Sequence, residues 1–135
     1  MPVDGIWYNE LGSVMTLTSD GTSLSGTYVT PVGEANGTYT LTGSVNTDTD
    51  PALGWVVLWN NNSGDSNSVT TWCGQYYSEQ EVIIAMWLLR SEMSEGQNWA
   101  ATQVGEDIFT RISDGVLPPG LAALRAPSHP AGLGQ

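Results

Sequence analysis

The sequence predicts an all-β domain, an antiparallel sandwich or barrel, and three observations carry that expectation. Turn-forming clusters recur every 8 to 15 positions, the stretches between them are rich in Val, Ile, Thr, Tyr and Trp, and none of those stretches requires a helical period. The clusters are Ser19-Asp20-Gly21, Thr30 to Gly33, Asp48 to Pro51, Asn60 to Gly64, Ser78 to Gln80 and Ser91 to Gly96. Their Gly, Pro, Asn, Asp and Ser residues supply left-handed backbone, a fixed φ, or side-chain bonds to the local main chain.

About eight strands fit between the turns. Gly5 to Glu10 opens with Ile6, Trp7 and Tyr8, and Ser13 to Thr18 alternates Ser13, Met15 and Leu17 with Val14 and Thr16. Ser23 to Thr30 places Leu24, Tyr28 and Thr30 on one parity, and Gly37 to Asn46 is rich in Thr and Tyr. Leu53 to Asn61 follows Pro51, which a central strand does not tolerate. Ser66 to Tyr77 and Val82 to Arg90 are long β-rich runs, and Trp99 to Ile112 completes the set. A closed barrel of eight strands leaves room for one small ligand.

Alternate side chains of a strand face the same way. One parity collects Trp7 and Asn9, Ser13 and Met15, Tyr28 and Thr30, Trp55 and Trp59, Ser66, Ser68, Thr70 and Trp72, Ile83, Ala85, Trp87 and Leu89, and Asp107 and Phe109. Indoles mixed with hydrogen-bonding groups form neither a plain core nor a plain surface, and the mixture points to a small-molecule pocket. Trp7 and Trp55 read as its floor or as core. The opposite parity includes Val56, Leu58, Thr71, Cys73, Gln75, Ile84, Met86 and Leu88, too apolar for a wholly solvated exterior, so contact with another subunit is expected.

Composition excludes several classes. The 135 residues fit one domain, and Lys plus Arg 3 against Asp plus Glu 14 makes phosphate backbones and anionic membranes poor partners. No run approaches the roughly 20 apolar residues that span a bilayer, and no signal-peptide pattern precedes Gly5. Cys73 is the only cysteine, which excludes an internal disulfide, and it reads as a small apolar residue on the outer face. His129 is the only histidine and sits in a Pro/Gly/Ala-rich stretch, so Ser-His-Asp and Cys-His catalysis lack a base. No metal or cofactor is expected. Residues 1–113 read as the barrel domain and 114–135 as a flexible tail.

Specific motifs then carry a resemblance. Gly5-Ile6-Trp7-Tyr8-Asn9-Glu10-Leu11-Gly12-Ser13, Leu24-Ser25-Gly26-Thr27-Tyr28, Leu53 to Trp59, Ser68 to Tyr76, Trp87-Leu88-Leu89, and Trp99 through Val104-Gly105-Glu106-Asp107-Ile108-Phe109-Thr110 resemble, in order and spacing, the avidin and streptavidin family. The resemblance runs from about Gly5 to Ile112. It implies an eight-stranded antiparallel up-and-down barrel that binds biotin, assembled as a homotetramer, secreted or periplasmic, and not an enzyme.

The resemblance also implies roles. Asn9, Ser13 and Tyr28 would donate to the urea oxygen of biotin, while Asp107, ionised with ligand bound, and Thr30 would accept from its N–H groups. Thr70 would approach the ring sulfur, and Leu11, Trp59, Trp72, Trp87 and Leu89 would enclose ring and chain. Ser66, Ser68 and the loop with Val32, Gly33 and Glu34 would receive the carboxylate, Pro31 to Gly37 acting as a lid. Trp99 matches the tryptophan lent to a neighbouring subunit's pocket. Glu34 and Asp65 add negative charge near the carboxylate end, which lowers the expected affinity, and Thr30 stands where a serine is common.

Three rivals remain at this level. A lipocalin-like barrel for another apolar ligand would have no converging urea site. An enzyme using Asp107 or Glu106 as base lacks a partner acid or nucleophile. A barrel acting through its outer apolar face would keep its partner when the pocket is mutated.

Overall fold

A computed structural model describes residues 1–30, 37–60 and 67–113. Val32, Gly33, Glu34, Asp65, Ser66, most of the expected lid and the 114–135 segment lie outside the described residues. The strands are β1 (Gly5–Tyr8), β2 (Val14–Asp20), β3 (Ser23–Val29), β4 (Thr38–Val45), β5 (Ala52–Trp59), β6 (Ser68–Tyr77), β7 (Val82–Ser91) and β8 (Thr102–Thr110). Each pairs antiparallel with the next and β8 returns to β1, which closes the expected eight-stranded up-and-down barrel. Closure leaves no long unpaired edge.

Alternation decides what lies inside. In β5 the buried positions are Leu53, Trp55, Val57 and Trp59, and in β6 Ser68, Thr70, Trp72 and Tyr76. The register sets Trp55 opposite Trp72 and Trp72 opposite Trp87, so three indoles lie in one cross-strand row. Trp55 stacks on Trp72 with centroids 5.5 Å apart and planes 16° from parallel. Trp7, Met15, Leu17, Leu41, Val57, Ile83 and Phe109 are buried with them in a single cluster. Trp7 and Trp55 are core, as their parity suggested.

The β1–β8 seam is thin, because β1 has four residues and one register pair, Tyr8↔Thr110, joins the two strands. Arg111 reinforces it. Its guanidinium lies 3.6 Å from the Trp7 ring centroid. It donates to the Ile6 carbonyl at 3.1 Å, to that of Pro2 at 2.9 Å and to that of Asp4 at 3.0 Å. One planar cation thus ties the end of β8 to the N-terminal segment and covers the barrel floor.

The sequence-based expectation is corrected here at the first and last strands. The last strand starts at Thr102, not Trp99, because Glu95–Ala100 forms a short 3₁₀ helix. That segment has no β-branched residue and no apolar alternation, and its turns close through Gln97 N–H to Ser94 O at 2.9 Å and Ala101 N–H to Asn98 O at 3.2 Å. The first strand ends at Tyr8, not Glu10, since the Asn9 side chain diverts the next backbone N–H groups into a turn.

The outer face follows the expected parity. Leu58 and Val104 are 59% exposed and Met86 and Leu88 51%, which makes a broad apolar surface across β5, β7 and β8. Cys73 is exposed among them.

Candidate functional site

An up-and-down barrel puts the ends of its odd strands and the starts of its even strands at one rim. Asn9 follows β1, Ser13 precedes β2, Thr30 follows β3, Trp59 ends β5, Ser68 starts β6 and Leu89 lies near the end of β7. Residues far apart in sequence therefore converge on one mouth.

Asn9 is oriented by its own turn. Its side-chain oxygen accepts from Leu11 N–H at 3.0 Å and Ser13 N–H at 2.9 Å, in a turn where Gly12 takes φ 86°. With that oxygen committed to the backbone, the amide Nδ2 is left to face the interior as a donor, 3.4 Å from the Tyr28 hydroxyl. The Ser13 hydroxyl donates to Thr30 Oγ1 at 3.1 Å. Asn9, Ser13, Tyr28 and Thr30 are all buried. Burial first, and then the nearby Asp107 charge, hold the Tyr28 phenol well above its usual range, so it stays a neutral donor.

Asp107 enters from β8 opposite Ala85 and is fully buried. Its Oδ2 accepts from Trp72 Nε1 at 3.0 Å, while Oδ1 is buried without a hydrogen-bond partner among the described residues. Burial pushes this carboxyl up to about 8, hydrogen bonding from the Trp72 and Asn9 side chains opposing the rise and the Glu10 and Glu106 charges adding to it. Without ligand, then, Asp107 holds its proton to well above the usual carboxylate range. Its open oxygen faces a low-dielectric interior, where a donor is worth most.

Aromatic walls complete the cleft. Trp59 lies 5.7 Å from Tyr28 and 6.5 Å from Trp72, both edge-on, and its Nε1 donates to Thr70 Oγ1 at 2.8 Å. Trp87 is 1% exposed and sits against Gly105, where any Cβ would fall 2.3 Å from its ring. Its Nε1 has no hydrogen-bond partner among the described residues. Leu89 is fully buried beside it in β7.

Two predicted residues lie outside the buried group. Leu11 is 36% exposed on the rim turn. Trp99 is 82% exposed on the short helix and touches none of the buried indoles of its own chain, so it is not part of its own barrel's pocket. A further rim residue, Ser91, is 5% exposed and pairs directly with Ser68. The parity of Ile83, Ala85, Trp87 and Leu89 reaches it, but the strand was expected to stop at Arg90.

A closed barrel that buries Asn9, Ser13, Tyr28, Thr30, Thr70 and Asp107 among indoles has the lining of a small-molecule pocket. Comparison with known proteins agrees. The model of the Avidin family matches residues 1–112. Avidin of Gallus gallus is 35% identical over 120 residues, covering 80% of this chain and 76% of that protein. Avidin-related protein 4/5 of Gallus gallus is 36% identical over 118 residues, with the same coverage of 80% and 76%. Afifavidin of Afifella pfennigii is 33% identical over 117 residues, covering 82% and 70%. The chain belongs to the avidin family. Among the described residues no helix is long and apolar enough to cross a membrane.

Proposed function

We propose that this protein binds biotin tightly and non-covalently, one molecule per barrel, as a secreted or periplasmic homotetramer without catalytic activity, metal or cofactor. The observation that carries the reading is the burial, in one indole-lined interior, of the donors Asn9 Nδ2, Ser13 and Tyr28 beside Asp107, whose Oδ1 has no hydrogen-bond partner among the described residues. A cyclic urea presents one acceptor oxygen flanked by two N–H donors and fits that combination. The urea oxygen accepts from Asn9, Ser13 and Tyr28, and its N–H groups donate to Asp107 and to Thr30. Ser13 rotates its hydroxyl from Thr30 to the ligand. The apolar ring lies among Trp59, Trp72 and Trp87, with Thr70 by its sulfur, and the carboxylate tail points to Ser68 and the loops beyond the described residues.

Tight binding follows from preorganisation, since the backbone already holds the Asn9 amide and the strands already hold the indoles, leaving little to order on association. A lipocalin-like pocket for a purely apolar ligand is less consistent with so many buried polar groups aimed inward. The exposed Trp99 and the outer Leu58, Met86, Leu88 and Val104 support assembly, with Trp99 lent to a neighbouring barrel. We divide the chain into this barrel, 1–113, and a C-terminal tail, 114–135.

Calorimetric titration with biotin, for the wild type and Asp107→Ala, tests the proposal. One site per chain, weakened at least about 100-fold in the variant, is the expected outcome. Absence of heat and of thermal stabilisation in folded, ligand-free wild type would reject biotin as the ligand.

A further inference from the structure

The helix bearing Trp99 buries none of its residues Glu95–Ala100, and no side chain caps its N-terminus at Ser94. Its C-terminal flank is held by the Ser91 N–H, which donates to Ala101 O at 2.8 Å. An indole useful to a neighbouring molecule needs a fixed position, because an arm that samples many orientations loses conformational entropy on docking. Among the described residues, a side-chain tie from this helix to the barrel runs through Arg90. Its Nη2 donates to Asn98 Oδ1, immediately before Trp99, and its Nη1 donates to Thr102 Oγ1 at 3.2 Å, where β8 begins. Arg90 itself is fixed in the sheet by pairing with Val69 on one side and Thr102 on the other.

We propose that Arg90 is the positioning residue for Trp99: its planar guanidinium bridges the helix and β8 and holds the indole in the orientation in which another copy of the chain receives it. The inference rests on the reading that Trp99 is lent between copies. Two donors in one rigid plane reach both acceptors at once, which a lysine ammonium on its flexible stem does not reproduce. Arg90 also lines, with Leu58, Ser68, Val69, Ser91 and Met93, a groove of about 410 Å³ at the rim. A direct action of Arg90 on ligand in its own barrel is therefore the competing explanation, and the test separates the two.

The experiment is a double-mutant cycle on the dissociation rate of labelled biotin from the assembled protein, using Arg90→Ala, Arg90→Lys, Asn98→Ala and Trp99→Ala, with thermal unfolding of each ligand-free variant as the folding control. Trp99→Ala is expected to speed dissociation by at least about 30-fold, and Arg90→Ala and Asn98→Ala by about three- to tenfold each, Arg90→Lys failing to rescue. In the Trp99→Ala background the further effect of Arg90→Ala is expected to vanish, to within about 1.5-fold. An equal Arg90→Ala effect in both backgrounds would show direct action at the rim and overturn the proposal. A Trp99→Ala effect with unchanged Arg90→Ala would overturn the assignment of Arg90 alone, whereas an inert Trp99→Ala overturns the lending of Trp99 and the proposal with it.

Discussion

Trp72 Nε1 donates to Asp107 Oδ2 at 3.0 Å, so an indole that walls the pocket also fixes the carboxyl at its base. The bond directs the other oxygen, Oδ1, into the site and partly offsets the burial that raises the carboxyl. Trp72 is held in turn by stacking on Trp55. Trp72→Phe keeps most of the packing and deletes the donor. The expected result is a biotin affinity lower by about tenfold or more, since a hydrogen bond to a charged group contributes roughly 1.5–3 kcal/mol. The Asp107 carboxyl should move further up, and carbonyl-stretch infrared spectroscopy against an Asp107→Asn control would show it.

The same carboxyl gives a pH signature. Its pKa rises from 3.8 to about 8 on folding, so the folded protein binds the proton more tightly than the unfolded chain. The stabilisation this confers is complete below the unfolded value, near pH 4, and is lost as pH rises through about 8. Ligand-free protein should therefore show a falling melting temperature between pH 5 and pH 9, a component that Asp107→Asn removes. Ionisation of Asp107 on biotin binding would release a proton, and affinity would climb with pH, at most about tenfold per unit, up to about pH 8. Calorimetry at pH 7 in two buffers of different ionisation enthalpy measures that proton, and identical heats would show that Asp107 does not change protonation on binding.

Gly105 lies opposite Trp87, and a Cβ there would meet ring atoms at 2.3 and 2.6 Å. Only the missing side chain lets the indole lie against β8. Gly105→Ala should displace Trp87, cost about 1–3 kcal/mol of stability and weaken binding, as overpacking does in a filled interior. Gly96→Ala is the control, because nothing lies within 4 Å of its Cβ position. Denaturant unfolding and biotin titration of both variants should separate them, and equal behaviour would contradict the packing argument.

Much of this was legible in the sequence, and the gaps have physical causes. Strands alternate visibly, so eight of them and the shared parity of Trp59, Trp72, Trp87 and Asp107 could be read without coordinates. The helix before β8 could not, because Glu95 to Ala100 buries nothing and leaves no apolar period. Ser91 was hidden because a strand end depends on hydrogen bonds to Ala101, which lies across the loop and not in the local pattern. The direction of the Asn9 amide and the protonation of Asp107 are set by groups brought together only on closure of the barrel. Those last two matter most for binding, and composition carries no trace of them.

Arg111 is the last residue whose role is open to a direct test. β1 and β8 share one register pair, so the seam depends on the guanidinium that lies over Trp7 and bonds three main-chain carbonyls. Its contact with Glu81, at 3.4 Å, is a surface pair in which Glu81 is 56% exposed. Glu81→Gln should therefore change stability by less than about 0.5 kcal/mol. Arg111→Lys should cost about 1–3 kcal/mol, because a single ammonium cannot both cover the indole and reach three carbonyls. Denaturant unfolding gives the magnitudes, and amide exchange at Trp7 and Tyr8 locates the loss. Faster exchange confined to β1 and β8 would identify Arg111 as the clasp of the barrel, and uniform acceleration across all strands would show that it acts only through global stability.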